Sequence, residues 1–359
     1  MSLALRAVET RSVAPRAPLP EQVAALPETR YMGSKFKLLP FIYKVLKGLT
    51  FTRALDAFSG TSSVGYLMKA MGKKVVANDH LQFCYHIANA VVANGRWRLT
   101  CAQLEMLLEH NRRAKRFISR KFKDLYYSDE DNRFLDNLVA NLELLPNRFL
   151  RSLALAAACR ACVKRRPRGV FTYVGQRYDD GRRDLLLSLK EHFMLAATAL
   201  NEAVFNNGQG CDAAYGDVFD ARVDFDLVYI DTPYVSPHSD NEYTRRYHFL
   251  EGLVRYWRGI QIQEHTETKK FGPPPTPFRS RTEVYDGFDR LFHKFADSIL
   301  VVSYSSNGIP TRDELRSLLK RYKARVEIFT TQHAYSFGTH KDKPRNRTNR
   351  VEEYLFVGY

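Results

Sequence analysis

The chain has 359 residues, enough for one large buried core or two smaller ones, with the 45% hydrophobic content of an ordinary globular protein. Its 55 Lys and Arg against 39 Asp and Glu leave a formal charge of +16, which favours a polyanionic partner, nucleic acid first and an anionic membrane second. The longest apolar runs, around Leu153–Ala158 and Ile299–Val302, are far too short to cross a bilayer, and five scattered cysteines suit reduced thiols in the cytoplasm.

Residues 1–27 carry Arg6, Arg11 and Arg16 among Ala, Pro and Ser, without the apolar core of a secretory signal, and are expected to form a disordered leader. Arg30-Tyr31-Met32-Gly33-Ser34-Lys35 then opens a helical pattern through Leu38, Leu39, Phe41, Ile42, Val45 and Leu46. Gly33 and Ser34 mark a helix start where backbone N–H groups and Lys35 can meet an anion, although a generic helix cap would look the same. Ala54–Asp56 reads as a strand, Ala57–Gly65 as a tight loop of small residues, and the segment through Leu67 and Met71 as a helix. Lys74–Asp79 is a second strand ending in a carboxylate, which completes a βαβ unit. The loop lacks Gly-x-Gly-x-x-Gly, and Gly65 is followed by Tyr66-Leu67 instead of Lys-Ser/Thr, so neither a dinucleotide site nor a P-loop fits. Asp79 follows the loop by roughly the 20 residues that place a carboxylate on ribose hydroxyls. Together these features fit an adenosine without a pyrophosphate.

From about Gly95 to Gly210 the pattern is one of charged helices with no strand-like run. Arg112, Arg113, Lys115, Arg116, Arg120, Lys121 and Lys123 form one basic cluster; Arg160, Lys164, Arg165, Arg166 and Arg168 form another beside Phe171 and Tyr173. Such runs are usually solvated faces, with phosphate contact the alternative. Cys159-x-x-Cys162 has no second pair to complete a zinc site, so its thiols read as structural. Asp184–Phe205 has amphipathic spacing and is expected to pack back on the sheet.

Asp226-Leu227-Val228-Tyr229-Ile230-Asp231-Thr232-Pro233-Tyr234 is a buried strand that stops at a carboxylate and turns onto an aromatic ring. In open α/β sheets the ligand crevice lies outside the carboxyl ends of the strands, which is where this turn falls. The turn offers acceptors: Asp231 and the Thr232 carbonyl can each take a hydrogen from an amino group, while Pro233 stiffens the chain and Tyr234 gives a flat stacking face. Two acceptors on an aromatic amine favour a more tetrahedral nitrogen, with its lone pair aimed at an electrophile. Residues 239–277 read as a mobile binding loop or lid. Ile299–Val302 is a further strand and Thr311–Tyr322 a helix. Ala324–Thr330 and Val351–Val357 form an antiparallel edge hairpin whose loop carries Arg345 and Arg347, placed for backbone phosphates.

The tetrapeptide Asp231–Tyr234 resembles the Asp-Pro-Pro-Tyr motif of DNA amino-methyltransferases. With Arg30–Lys35, Asp56–Gly60, Gly216-Asp217, Ser336–Thr339 and Glu353–Leu355 in the right order, the chain resembles the Dam-type DNA adenine methylase family from about Arg30 onward. The resemblance implies a Rossmann-like methyltransferase domain with a seven-stranded, mostly parallel sheet, made of residues 28–95 and 210–359. Residues 96–209 become an inserted helical target-recognition domain for double-stranded DNA, with Arg112, Arg113, Lys164, Arg165 and Arg166 on phosphates. The implied cofactor is S-adenosylmethionine: Tyr31 and Lys35 contact it, Asp56 lies near its ammonium, Phe58 and Gly60 lie against it, Asp79 holds its ribose and Asp217 its adenine amino group. Asp231, Thr232, Pro233 and Tyr234 would then act on the N6 amino group of an adenine flipped out of the duplex, with no metal required. Thr232 stands where the family has proline, but the role there belongs to the backbone carbonyl. The alternatives are N4 methylation of cytosine and a DNA-binding protein of the same fold without catalysis. An associated restriction endonuclease is a further implied partner.

Overall fold

A single twisted sheet organises the computed structural model, which describes residues 10–12, 18–175, 181–235, 243–336 and 348–359. Its strands are β1 (Thr10–Ser12), β2 (Arg53–Asp56), β3 (Lys74–Asp79), β4 (Asp212–Tyr215), β5 (Leu227–Ile230), β6 (Ile299–Ser305), β7 (Val326–Ser336) and β8 (Thr348–Gly358). They lie in the order β1-β7-β8-β6-β5-β2-β3-β4. Every pairing is parallel except those of β8, which runs antiparallel to both β6 and β7. The seven strands expected are β2 to β8, and the short β1 adds an eighth on β7.

The position of β5 explains its composition. All four of its residues are buried, and successive side chains alternate between two cores, Leu227 and Tyr229 on one face and Val228 and Ile230 on the other. A strand covered on both faces has no polar side to show, so its sequence is a continuous apolar run. From β2 the chain steps outward through β3 to β4, then returns to β5 on the other flank of β2. That reversal is the switch point where an open α/β sheet leaves a crevice at the carboxyl ends of its strands. Asp56 ends β2 and Asp231 follows β5, one on each side of the reversal.

The first core is covered by α1 (Leu39–Lys47), α2 (Ser63–Ala70), α3 (Gln82–Ala88) and the inserted helices α4 (Cys101–Leu108), α5 (Phe117–Lys121), α6 (Asp129–Asn141), α7 (Arg148–Arg165) and α8 (Leu189–Glu202). The run of buried alanines 154, 156, 157, 158 and 161 lets α7 approach α3 and α8 closely, and Cys159 and Cys162 are buried in the same helix. The insertion therefore shares one continuous core with the sheet. The second core lies under α10 (Val284–Lys294) and α11 (Arg312–Leu319).

Four expectations are corrected. Part of the leader is ordered: Glu21–Ala25 forms a turn of 3-10 helix, Val23 and Leu26 are buried, and Thr10–Ser12 pairs with Ile328–Thr330. The expected lid contains a helix, α9 (Tyr243–Arg255), whose buried face includes Thr244, Tyr247, His248 and Glu251; these polar and aromatic side chains hid its period. Helix α8 packs on α6 and α7 instead of on the sheet. The β7–β8 hairpin is antiparallel as expected, but β8 is interior and β7 carries β1.

Candidate active site

A cavity at the switch point is lined by residues from five separate stretches of chain: Tyr31, Gly33 and Lys35; Asp56, Phe58 and Gly60; Asp79, His80 and Leu81; Tyr229, Asp231, Thr232 and Pro233; and Tyr243. Backbone donors fix its carboxylates. Asp56 Oδ2 accepts from the Gly65 amide at 2.8 Å, and Asp79 accepts from the Gly60 and Leu81 amides at 2.8 and 2.9 Å. Gly65 must be glycine for this packing, because a Cβ there would stand 2.9 Å from Asp56 Oδ2. Asp56 is 1% exposed, and burial pushes its carboxyl up to about 8; the nearby Asp231 and Asp79 charges add to this and the Gly65 amide opposes it.

On the opposite wall, Lys35 reaches Asp231 Oδ1 at 2.8 Å with both side chains largely out of water. The Tyr234 hydroxyl donates to the same oxygen at 3.2 Å. Among the described residues nothing occupies Oδ2. Burial raises the Asp231 carboxyl, and Lys35 and then Tyr234 counter it. The result is a carboxylate held by one oxygen and open at the other. The Tyr234 ring lies 5.0 Å from the Lys35 ammonium and packs edge-on against Tyr304 at 4.9 Å.

Aromatic side chains form the cavity's remaining wall. Tyr31 stacks on Tyr247 at 4.6 Å and on Tyr243 at 5.5 Å, and the Tyr247 hydroxyl accepts from the Met32 amide. Gly33 has φ +74°, and a Cβ on it would lie 2.5 Å from the Tyr243 hydroxyl, so the turn before Lys35 needs glycine twice over. The sequence offered Tyr243 and Tyr247 only as loop residues that could clasp DNA or merely pack, and gave Tyr229 no role beyond its strand. The i,i+4 spacing of the first two was the available signal, once α9 is seen as a helix.

The structure thus brings together Tyr31, Lys35, Asp56, Phe58, Gly60, Asp79, Asp231, Thr232 and Pro233, with Tyr234 directly behind Asp231. Asp217 is not among the lining residues; it is exposed and accepts from the Phe219 amide at 3.0 Å, capping a short turn. Arg112 and Arg113 are exposed. Lys164 pairs with Asp184 at 3.2 Å and Arg165 with Asp131 at 3.8 Å. Arg166 must be corrected: it is fully buried, donates to the carbonyls of Val170, Gly175 and Tyr173, and lies over the Tyr126, Phe171 and Tyr173 rings, out of reach of DNA. Arg345 and Arg347 lie outside the described residues.

Residues 31–271, which run from the first cavity tyrosine past the tetrapeptide, match the model of the D12 class N6 adenine-specific DNA methyltransferases. The chain belongs to this family. It is similar to the Type II methyltransferase M2.HphI of Haemophilus parahaemolyticus, with 28% identity over 92% of this chain and 97% of that one. It is also similar to the Type II methyltransferase M.NlaIII of Neisseria lactamica, with 22% identity over 91% and 98% of the two chains. Modification methylase LlaI of Lactococcus lactis subsp. lactis is 24% identical over 91% of this chain, which spans 54% of that longer protein. As a D12 class enzyme the chain is an adenine-specific DNA methyltransferase, which sets aside both N4 methylation of cytosine and a non-catalytic binding protein. No described helix is long and apolar enough to cross a membrane.

Proposed function

We propose that the switch-point cavity binds S-adenosylmethionine against Tyr31, Asp56, Phe58, Gly60 and Asp79 and receives a flipped adenine of double-stranded DNA at Asp231–Tyr234. The observation that carries this reading is the divided Asp231 carboxylate at the cavity wall: Lys35 and Tyr234 both engage Oδ1, and among the described residues Oδ2 has no hydrogen-bond donor. Two further features support a cofactor. Asp56 is a buried carboxyl with no cationic partner among the described residues, which suits an ammonium, and Ser59, which lines the same cavity, has a buried hydroxyl without a hydrogen-bond partner.

When bound, S-adenosylmethionine supplies an electrophilic methyl group. The protein's part is to prepare the amine. Asp231 Oδ2 accepts one N6 hydrogen and the Thr232 carbonyl the other, which draws the nitrogen toward tetrahedral geometry and orients its lone pair. Burial raises the Asp231 carboxyl and the Lys35 ammonium opposes that rise, favouring the ionised form; in this reading the carboxylate acts as an acceptor first and the amine's proton leaves after the methyl has moved. Lys35 therefore works on the catalytic carboxylate, where the sequence suggested a cofactor contact. Tyr234 positions Asp231 through its hydroxyl and supplies the aromatic ring for stacking on the flipped base.

Within this reading residues 96–209 are the target-recognition region, with Arg112 and Arg113 on the phosphate backbone. Because two of the relatives named above are Type II methyltransferases and the third a modification methylase, we place the enzyme in the cytoplasm beside a partner restriction endonuclease. The test is to incubate the protein with labelled cofactor and duplex DNA and digest to nucleosides, expecting N6-methyladenine. Asp231→Ala should reduce transfer by about 100- to 1000-fold while calorimetry shows cofactor affinity largely kept. An active Asp231→Ala enzyme would overturn the site.

A further inference from the structure

Thr232 presents a hydroxyl group that the backbone role assigned to this residue does not use. Thr232 is one of the residues lining the cavity, it is 3% exposed, and its Oγ1 is buried with no hydrogen-bond partner. The neighbouring carboxylate does not relieve it, since the contacts of Asp231 are to Lys35 and Tyr234. A buried hydroxyl with no partner destabilises the free protein, whereas a residue without one could supply the same carbonyl at no such cost. An orphaned polar group in a binding cavity is satisfied by the ligand.

The ligand atom follows from the reading of this loop as the target-base site, on which the inference rests. If Asp231 Oδ2 and the Thr232 carbonyl take the two N6 hydrogens of adenine, the nearest remaining polar atom of the ring is N1, bonded to the same carbon as the amine. N1 is an acceptor with no hydrogen of its own, and a threonine hydroxyl can donate. We propose that Thr232 Oγ1 donates a hydrogen bond to N1 of the extruded adenine, which makes Thr232 a specificity residue as well as a source of the carbonyl. The contact forms only after flipping, because N1 is engaged in base pairing inside the duplex.

The test combines two variants with a modified substrate. Thr232→Val keeps the shape and removes the donor; Thr232→Ser keeps the donor. Each is assayed on duplexes carrying adenine or 1-deazaadenine, in which a C–H replaces N1, at the methylated position. On adenine, Thr232→Val should lower kcat/KM by about tenfold and Thr232→Ser by no more than about threefold, the range for one neutral hydrogen bond. On 1-deazaadenine the wild type and Thr232→Val should be equal within about twofold, since neither can make the bond. The free Thr232→Val protein should melt no lower than the wild type, because a buried unpaired hydroxyl has been removed.

Unchanged kcat/KM for Thr232→Val on adenine would overturn the proposal. An equal tenfold loss on both duplexes, or a loss confined to cofactor affinity by calorimetry, would do the same by assigning the hydroxyl to another atom. These failures leave Asp231 untouched, so they are distinguishable from an active Asp231→Ala enzyme, which would remove the target-base site itself.

Discussion

The two basic clusters of the inserted helices look alike in sequence and differ in the folded chain. Around α5, Arg112, Arg113, Lys115, Arg116, Arg120 and Lys123 are exposed, and Lys121 pairs with Glu264. At the end of α7 Arg168 is exposed, but the other four charges are paired or enclosed. Arg160 pins the segment at Pro27–Thr29, Lys164 and Arg165 pair with Asp184 and Asp131, and Arg166 is enclosed by three aromatic rings and three carbonyls. A guanidinium is weakly hydrated, planar and rich in donors, so its fork can hold three loop carbonyls from inside while its plane stacks on the rings. Density of positive charge therefore says little about DNA contact until its exposure is known.

The largest effect should come from breaking the buried staple. Arg166→Ala leaves the Val170, Gly175 and Tyr173 carbonyls without their donor and opens a cavity among the rings, so the loss in a urea titration should be at least about 3 kcal/mol. Arg166→Lys should recover only a minor part, for want of the fork and the stacking plane. If either variant melted like the wild type and changed only DNA affinity, the contrast between the clusters would collapse.

Burial of an acid sharpens the comparison from the other sign of charge. Asp56 titrates near pH 8 in the folded protein and near 4 when unfolded, so the folded state binds its proton more tightly. That contribution is complete below about pH 4 and is lost as pH rises through 8, by up to about 1.4 kcal/mol per pH unit between. Melting of the cofactor-free protein between pH 6 and 7 should fall more steeply for the wild type than for Asp56→Asn, which cannot take up the proton. Equal slopes would contradict a perturbed Asp56.

The exposed cluster should give the smallest change in stability. Replacing Arg112 and Arg113 together by alanine should alter stability by less than about 0.5 kcal/mol, since neither side chain is buried. DNA affinity is the informative readout. If both contact phosphates, binding to target and scrambled duplexes should weaken alike, and the log-log salt slope should shrink by about 2. An unchanged slope would make this cluster a solvated face.

Much of the crevice was legible because its chemistry is written in contiguous strings. The Asp56–Gly60 turn, the acid ending β3 and the apolar run before Asp231 are each local, and their order along the chain is enough to place them at strand ends. What escaped was contact between distant segments. Lys35 and Asp231 stand 2.8 Å apart although nearly two hundred positions separate them, and the Tyr31 stack depends on a helix with no clean apolar period. Asp217 shows the limit of local matching: the Gly-Asp pair sits after β4 as expected, but its carboxylate caps its own turn.

Local sequence was enough for a mostly parallel α/β sheet with acids ending β2 and β3 and following β5, because strand burial and turn chemistry act over a few residues. Only the tertiary structure decided which charges face solvent, which acceptor of Asp231 stays open and which hydroxyl is left unsatisfied. Those outcomes depend on desolvation and on partners drawn from remote parts of the chain, and neither is encoded in the spacing of neighbouring residues.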